Sequence, residues 1–339
     1  MTGLDRTQRL ADFIDCAPAA DDFRSAALRG LSKVPKEIPA KYFYDERGSR
    51  LFEEICALDE YYPTRAEFGI LRTRANEIAA QIETGSVIIE LGSGSSQKVQ
   101  CLLDALDRPR AYVPIDISRD HLLNAAYELA ADYDHIDVIP VCADFVKSFE
   151  LPCSLPTGPR VVFFPGSTIG NFHHDEATDL LCGLARQLSK GDRLLIGVDL
   201  KKDPHILRTA YNDQKGITAA FNLNLLTRMN RELEASFDMD AFVHRADYNM
   251  PSGRIEMHLV STADQTVTVA DRLVCFQAGE SIHTENSYKY SVAEFQRLAM
   301  DAGFTPIDVW TDEHPLFSVH LFEVAASRHQ SQEDPRSRS

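Results

Sequence analysis

Ser86-Val-Ile-Ile-Glu-Leu-Gly-Ser-Gly94 is the stretch that decides the fold, because a short apolar run ends there in a glycine-rich turn. Gly92 and Gly94 allow the backbone to turn sharply and to approach a ligand closely. The stretch Lys98–Leu106 follows, with apolar residues three and four positions apart, which is typical of a helix. Together these features predict a strand, a ligand-facing turn and a helix, the first βα unit of a parallel sheet.

Four further apolar runs follow along the chain, and stretches with helical spacing separate them. The runs are Ala111–Asp116, Ile136–Cys142, Arg160–Phe164 and Arg193–Asp199, and the helical stretches include Arg119–Asp132 and Asp175–Leu188. Apolar strands that alternate with helices predict an α/β fold, in which helices cover both faces of a mostly parallel sheet.

The segments on either side of this alternation have a different pattern. Before it, a helix is predicted over Arg65–Ile82, after a break at the Tyr61-Tyr62-Pro63-Thr64 segment. After it, the sequence predicts a largely helical stretch, two regions of antiparallel strand and two closing strands, over Asp203–Phe237, Phe242–Ser261, Val267–Gln277, Pro306–Thr311 and Phe317–Val324. The polar residues 327–339 predict a disordered tail.

The balance of charge argues against several classes of partner. Lys and Arg number 35 while Asp and Glu number 51, so the formal net charge is −16. Such a surface repels phosphate backbones and anionic lipids. The sequence therefore predicts a small-molecule substrate, with neither nucleic acid nor a membrane as partner. It leaves the oligomeric state open, and a monomer is the simplest expectation.

The cysteines and the N-terminus bear on the compartment. The seven cysteines are scattered and contain no C-x-x-C pair, which argues against a disulfide framework or a zinc knuckle. The N-terminal stretch carries Asp5, Asp12 and Asp15 in place of an apolar signal segment. No apolar run approaches the ~18 residues of a membrane helix. We therefore expect a cytoplasmic protein.

Acidic residues that end later strands bear on the choice of cofactor. Asp116 ends the second strand, where a pair of ribose hydroxyls would lie, and Asp144-Phe145 follows the third, where an adenine amino group could be met. A nicotinamide dinucleotide requires a third glycine for close helix packing, but Gln97 occupies that position. The pattern favours S-adenosylmethionine over a dinucleotide, and a turn that binds no cofactor is the remaining alternative.

The loop after the fourth strand, Gly166-Ser-Thr-Ile-Gly-Asn171, lies at the same sheet edge. It superficially resembles a nucleophile elbow, but Thr168 occupies the serine position, so hydrolysis is rejected. Asn171 could hold a carboxylate or an amine, or it could only cap the loop. The adjacent His173-His174-Asp175-Glu176 run is better explained by a helix N-terminus capped by Asp175 than by a metal site. No metal is predicted.

Five separate motifs occur in order along the chain: Tyr44-Asp-Glu-Arg-Gly-Ser49, Glu60-Tyr-Tyr-Pro-Thr-Arg65, Glu90-Leu-Gly-Ser-Gly94 with Lys98, Gly166-Ser-Thr-Ile-Gly-Asn171, and Thr284-Glu-Asn-Ser-Tyr-Lys289. In this order they resemble the L-histidine Nα-methyltransferases of ergothioneine biosynthesis. The resemblance extends from about residue 8 to residue 325.

The resemblance implies a Rossmann-like class I methyltransferase core over residues 66–201 and 289–326. It also implies a second, α+β substrate-binding domain over residues 8–65 and 202–288. The implied activity is S-adenosylmethionine-dependent trimethylation of the α-amine of L-histidine to hercynine, the first step of ergothioneine biosynthesis. Relatives in the wider family methylate other amino acids, so tryptophan, another amino acid or a histidine derivative is the alternative substrate. A protein that binds the methyl donor without catalysis is a further alternative.

The resemblance also assigns site residues. The expected cofactor-binding residues are Gly92, Ser93, Gly94, Lys98, Asp116, Asp144 and Phe145. The expected substrate-binding residues are Tyr61, Gly166, Asn171, Tyr211, Met257, Glu285, Asn286 and Ser287, and the expected catalytic residues are Tyr44 and Tyr61.

The chemistry of amine methylation suits these residue types. The α-amine must lose a proton before each transfer, and a tyrosine or a water chain is a plausible relay. The faces of Tyr44, Tyr61 and Tyr211 could stabilise the cationic product. Glu285 could accept a hydrogen bond from an imidazole N–H while Ser287 binds the same ring. Because an apolar side chain would leave a buried carboxylate unpaired, this arrangement favours histidine.

Overall fold

A computed structural model of the chain describes residues 10–16, 23–94, 97–146 and 150–325. The predicted tail, and residues 8 and 9 of the expected substrate-binding domain, lie outside these ranges. Within them the strands are β1 Ile14–Asp15, β2 Lys36–Glu37, β3 Val87–Leu91, β4 Ala111–Asp116, β5 Asp137–Val138, β6 Val141–Cys142, β7 Arg160–Phe164, β8 Arg193–Asp199, β9 Phe242–Asn249, β10 Arg254–Ser261, β11 Gln265–Val269, β12 Arg272–Phe276, β13 Ser281–Tyr288, β14 Phe304–Thr311 and β15 Phe317–Val324.

The helices are α1 Phe23–Leu31, α2 Glu46–Cys56, α3 Tyr62–Ala79, α4 Gln97–Leu103, α5 Arg119–Asp132, α6 His174–Gln187, α7 Pro204–Tyr211, α8 Ile217–Glu232 and α9 Val292–Asp301. Short 3-10 turns cover Ala40–Phe43, Thr168–Asn171 and Met239–Ala241. None of the helices in the described ranges is both long enough and apolar enough to cross a bilayer.

The large sheet has the strand order β1-β6-β4-β3-β7-β8-β15-β14, and β5 also pairs with β4. Strands β1 to β8 of this sheet pair in parallel, whereas β15 is antiparallel to both β8 and β14. Successive residues of a strand point to opposite faces, so Ile89 packs in the layer that contains Leu181 of α6. Ile88 packs in the opposite layer with Ile70 of α3. The predicted α/β fold, a mostly parallel sheet with helices on both faces, is confirmed.

A second sheet has the order β2-β13-β10-β9, with β2 parallel to β13 and the other pairs antiparallel. One face of β10 presents Ile255, Met257 and Leu259 to an apolar layer that also contains residues of α7 and α8, such as Leu207 and Phe221. The chain between Leu200 and Tyr288, joined by β2 from the N-terminal part, therefore builds a separate α+β region, while β14 and β15 return to the large sheet. The exact boundaries of the two domains remain a prediction.

Several boundaries differ from the sequence-based expectation, and proline explains two of the differences. Helix α3 begins at Tyr62 rather than Arg65, because Pro63 occupies the first turn, where a missing backbone N–H costs nothing. The predicted third strand is divided into β5 and β6, with Pro140 in the gap. Proline has no N–H to donate to a neighbouring strand.

The two sheets meet where β8 ends. Leu200 forms a parallel bridge with Tyr290, just beyond β13. The amide of Tyr290 donates to the carbonyl of Asp199 at 3.1 Å, and the amide of Lys201 donates to the carbonyl of Tyr290 at 2.9 Å. Gly170, in the loop after β7, lies directly against β13, since a Cβ there would be 2.7 Å from the Tyr288 carbonyl oxygen. The carboxyl edge of the parallel sheet is therefore held against strand β13.

We expect Gly170→Ala to lower the free energy of unfolding by about 1–3 kcal/mol, because the added methyl overlaps the backbone of Tyr288. Gly69 is the matched control: it lies inside α3, and a Cβ there meets nothing within 4 Å. Gly69→Ala should stabilise the helix by about 0.5–1 kcal/mol. Thermal denaturation followed by circular dichroism compares the two variants, and an unchanged midpoint for Gly170→Ala would contradict the close approach.

Candidate active site

A cavity of about 770 Å³ opens at the carboxyl edge of the parallel sheet. Its wall includes the glycine turn after β3 and the ends of β4 and β8 on one side. Strands β10 and β13, with helices α2, α7 and α8, supply the other side. Parallel sheets of this kind bind ligands at this edge. All the residues predicted to bind cofactor or substrate line the cavity except Ser93 and Asn286.

The glycine turn after β3 lines the cavity with Gly92 and Gly94. Gly92 has a φ of +70°, a conformation that favours glycine. A Cβ at Gly92 would lie 3.7 Å from the Phe145 ring, so the turn and this ring are close neighbours. Ser93 is buried within the turn, and its amide donates to the carbonyl of Ile115 at 3.3 Å. Ser93, which was predicted to bind the cofactor, is not among the residues that line the cavity, and its role stays a prediction.

Two carboxylates at the ends of neighbouring strands face the cavity. Asp116 accepts a hydrogen bond from the Ser118 amide at 2.8 Å, and burial raises the pKa of Asp116 to about 6. Asp144 accepts from the Val146 amide at 3.2 Å and pairs with Lys41 at 3.2 Å. Asp116 is thus a half-buried carboxylate that is hydrogen-bonded by backbone amides beside it, and a ligand with two hydroxyl donors would satisfy it further.

Lys98 was predicted to bind the cofactor, and the structure pairs it with a residue that the sequence analysis did not identify. Glu67 of α3 is fully buried, and its carboxylate accepts hydrogen bonds from Lys98 and from the Gly166 amide, the latter at 2.9 and 3.0 Å. The signal was present in the sequence, since Glu67 falls at helical spacing with the apolar Ile70 and Leu71. A charged residue on a core face requires partners, and here they are two parts of the candidate site.

A β-bulge aligns the residues on the opposite wall. Strand β10 pairs Met257 with Glu285 and then His258 with His283, so Thr284 is an extra residue on β13. Because paired residues share a face of the sheet, Glu285 and Ser287 lie on the same face as Met257. Burial raises the pKa of Glu285 to about 7, and the charge of Lys289 opposes this shift. The predicted neighbours Met257, Glu285 and Ser287 are brought together at the cavity wall.

The expectation that Asn286 binds substrate is corrected by the same pairing. Asn286 pairs with Glu256, so it lies on the face of β13 opposite to Glu285 and Ser287. Its amide nitrogen lies 3.4 Å from Nε2 of His173. The alternation of side chains along a strand therefore removes Asn286 from the cavity.

A buried hydrogen-bond network joins this wall to the parallel sheet. Lys289 donates to Ser287 Oγ at 2.7 Å and to the Tyr211 hydroxyl at 3.1 Å, and it pairs with Asp199 at 2.6 Å. Burial alone would raise the pKa of Asp199, but Lys289 and Lys202 hold it below its ordinary value. Lys289 and Asp199 were not predicted as site residues, although Lys289 closes the Thr284–Lys289 motif.

Aromatic rings surround the middle of the cavity. The centroids of Tyr61 and Tyr211 are 6.1 Å apart, and those of Tyr44 and Phe52 are 5.6 Å apart. Phe221 completes the group at 5.8 Å from Tyr44. Burial raises the pKa of Tyr44 and Tyr61 well above the ordinary value, so both are neutral phenols near neutral pH. Phe52 of α2 and Phe221 of α8 were not predicted as site residues, because their spacing in a helix does not distinguish them from ordinary core residues.

The loop after β7 carries Gly166 and Asn171 into the cavity. Gly166 and Ser167 have φ of +80° and +55°, and the Ser167 hydroxyl accepts a hydrogen bond from the Asp199 amide at 2.9 Å. Helix α6 then begins with His173 as N-cap, whose amide donates to Glu176 at 2.8 Å. The sequence predicted Asp175 as the cap, but the structure shows that the cap is His173. In the described residues, no group of His, Cys, Asp and Glu is arranged to hold a metal ion.

Comparison with known proteins identifies the family to which this site belongs. The family described as "Histidine-specific methyltransferase, SAM-dependent" matches residues 23–324. The histidine N-alpha-methyltransferase of Mycolicibacterium smegmatis is 42% identical over 93% of this chain and 99% of its own length. That of Mycobacterium tuberculosis is 43% identical over 88% of this chain and 94% of its own length. Ergothioneine biosynthesis protein 1 of Neurospora crassa is 33% identical, and the match covers 87% of this chain and 34% of that protein.

These matches confirm the resemblance that the five motifs indicated, and they account for a glycine turn beside an acidic strand end. The chain belongs to the family of histidine-specific, S-adenosylmethionine-dependent methyltransferases.

Proposed function

We propose that this protein transfers three methyl groups from S-adenosylmethionine to the α-amine of L-histidine and so forms hercynine, the first step of ergothioneine biosynthesis. The observation that carries the proposal is the position of Glu285 and Ser287. They lie on one face of β13 in the same cavity as the glycine turn and Asp116. The names of the two mycobacterial relatives support the same substrate.

The sheet edge fits the methyl donor. S-adenosylmethionine supplies an electrophilic methyl group on a sulfonium sulfur. Asp116 would accept hydrogen bonds from the two ribose hydroxyls, which favours its ionised form despite burial. Asp144 and Phe145 would bind the adenine, and the bare backbone of Gly92 and Gly94 leaves space for the rest of the molecule. Lys98, which pairs with Glu67, would bind the carboxylate of the donor.

The opposite wall fits histidine. Glu285 would accept a hydrogen bond from an imidazole N–H, Ser287 would bind the other ring nitrogen, and Met257 would pack against the ring. Asn171, Gly166 and Tyr211 would hold the amino acid's polar end. An apolar side chain would leave the Glu285 carboxylate unpaired in a buried site, which costs binding free energy.

The tyrosines act as neutral groups in this proposal. Tyr44 and Tyr61 can pass a proton from the α-amine along a hydrogen-bonded chain, but their raised pKa makes a phenolate base unfavourable. The faces of Tyr44, Tyr61 and Tyr211 stabilise the fixed positive charge of the methylated amine through cation–π attraction. Holding the amine in line with the methyl group supplies most of the acceleration, because the protein forms no bond itself.

The direct test is incubation with the methyl donor and a panel of amino acids that includes L-histidine and L-tryptophan. We expect mono-, di- and trimethylated histidine in the mass spectrum, with little turnover of the other amino acids. Preferred turnover of tryptophan would establish the alternative substrate. Tight donor binding without a methylated product from any amine would establish the binding-only alternative. A cytoplasmic location and a monomeric state remain predictions.

Glu285→Ala and Asp116→Ala form a reciprocal pair. Glu285→Ala should weaken L-histidine binding by roughly 10-fold or more, the effect of losing a hydrogen bond to a charged group, while donor affinity changes little. Asp116→Ala should weaken binding of the methyl donor while the affinity for L-histidine changes little. Isothermal titration calorimetry of each ligand measures both effects, and equal losses of both ligands in either variant would contradict the assigned roles.

Glu285→Gln should raise the thermal denaturation midpoint at pH 8. The pKa of Glu285 is raised from 4.5 to about 7 in the folded protein, so the folded chain retains a proton that the unfolded chain releases. Ionisation above the folded pKa therefore costs folding free energy, about 3 kcal/mol for a shift of this size, which glutamine avoids. The gain should shrink as the pH falls from 8 to 5. Glu53→Gln, at the exposed rim, is the control, and a gain that does not depend on pH would contradict the explanation.

A further inference from the structure

Lys289 is the buried cation closest to the proposed imidazole-binding pair. Its side chain is 1% exposed, and its ammonium has three N–H donors and no acceptor. All three donors have partners: Asp199 at 2.6 Å, Ser287 Oγ at 2.7 Å and the Tyr211 hydroxyl at 3.1 Å. Lys289 therefore donates to both hydroxyls at once and can accept a proton from neither.

The two hydroxyls are also bonded to each other. Tyr211 donates to Ser287 Oγ at 2.8 Å. Ser287 Oγ thus accepts two hydrogen bonds, from Lys289 and from Tyr211, which uses both of its lone pairs. Within the described part of the chain, the Ser287 hydroxyl donates to no protein acceptor. Of the two hydroxyl protons, that of Tyr211 is donated to Ser287, so that of Ser287 remains available. Ser287 lies at the cavity wall.

We propose that Lys289 is a positioning residue that commits the Ser287 hydroxyl to donate into the cavity, so that the site selects a ring with an accepting nitrogen as well as an N–H. The inference rests on the proposed function, because it assigns the ring of the amino acid to Glu285 and Ser287. Glu285 is an acceptor and Ser287 is a donor, and neutral imidazole offers one N–H and one lone pair. Indole offers only the N–H, and a phenyl ring offers neither.

Lys202 provides a matched control for the charge of this network. It pairs with the same Asp199 carboxylate, and it donates to the Tyr62 hydroxyl and to the carbonyl of Leu200. Lys202 therefore shares Asp199 with Lys289, but it donates to the Tyr62 hydroxyl where Lys289 donates to the hydroxyls of Ser287 and Tyr211. If Lys289 acted only by neutralising Asp199, loss of Lys202 would have a similar effect on the bound ring.

The experiment measures a ratio of affinities, which a purely structural defect does not change. The probes are thiazol-4-ylalanine and thiazol-5-ylalanine, which carry one accepting ring nitrogen at either histidine position, and thienylalanine, which carries none. Each is titrated calorimetrically into the full chain with S-adenosylhomocysteine present. We expect the better thiazolyl analogue to bind roughly 3- to 10-fold more tightly than thienylalanine, the effect of one neutral hydrogen bond.

Variants then test which residues produce the ratio of thiazolyl to thienyl affinity. Ser287→Ala should reduce it to about one, because the donor is gone. Lys289→Gln should also reduce it to within about twofold of one, because the amide oxygen offers the Ser287 proton an acceptor inside the protein. Lys289→Arg, which donates but does not accept, should preserve the ratio, and so should Lys202→Met. If Lys289→Gln fails to fold by circular dichroism, Lys289→Met combined with Asp199→Asn removes both buried charges and is measured instead. Without the ammonium, the Tyr211 hydroxyl oxygen is released to accept the Ser287 proton, so the same loss is expected.

Three outcomes overturn the inference: equal affinity of the wild-type protein for the thiazolyl and thienyl analogues, an unchanged ratio in the Lys289 variants, or an equal loss of the ratio in Lys202→Met. These results are separate from the proposed function. If the wild-type protein methylates L-histidine but its ratio is insensitive to Lys289, only the positioning role is wrong. If it methylates no histidine, the proposed function fails first.

Discussion

The ion pair between Asp199 and Lys289 is the contact on which the arrangement of the cavity depends. Asp199 is the last residue of β8 in the parallel sheet, and Lys289 directly follows β13 in the second sheet. Both side chains are 1% exposed, so water cannot replace either partner, and without Asp199 the Lys289 ammonium would keep only two hydroxyl acceptors. Breaking such a pair is strongly destabilising, although the pair itself adds little net stability. It therefore fixes the relative position of the two walls more than it strengthens the fold.

The carboxylates of the cavity illustrate how a binding site departs from the optimum for folding. Burial raises the pKa of Glu90 to about 8, of Glu285 to about 7 and of Asp116 to about 6. All three line the cavity, but Glu90 accepts a hydrogen bond from the Tyr112 hydroxyl, whereas Glu285 and Asp116 have no such side-chain donor among the described residues. A ligand that donates hydrogen bonds to Glu285 and Asp116 favours their ionised forms, which burial disfavours. The same groups that weaken the folded state therefore provide the specificity.

Much of this site could be anticipated from the sequence, and particular residues show the limit. Glycines after a strand and acids at strand ends are local patterns, so Gly92, Asp116 and Asp144 were identified with the parallel sheet. Glu285 and Ser287 came from the motif resemblance alone. Asn286 was misplaced because the resemblance included a whole run of residues without regard to strand alternation. Glu67 and Lys289 were missed because their partners, Gly166 and Asp199, are distant in sequence.

The sequence by itself determined the succession of strands and helices along the chain, the glycine turn, the acidic strand ends and the family. These features follow from local periodicity and residue type, which need no knowledge of distant contacts. Only the tertiary structure decided which face of β13 meets the cavity, because a single bulge at Thr284 changes the alternation. It also decided which buried charges neutralise each other and which hydroxyl proton stays available, because hydrogen bonds between distant segments have no pattern along the chain.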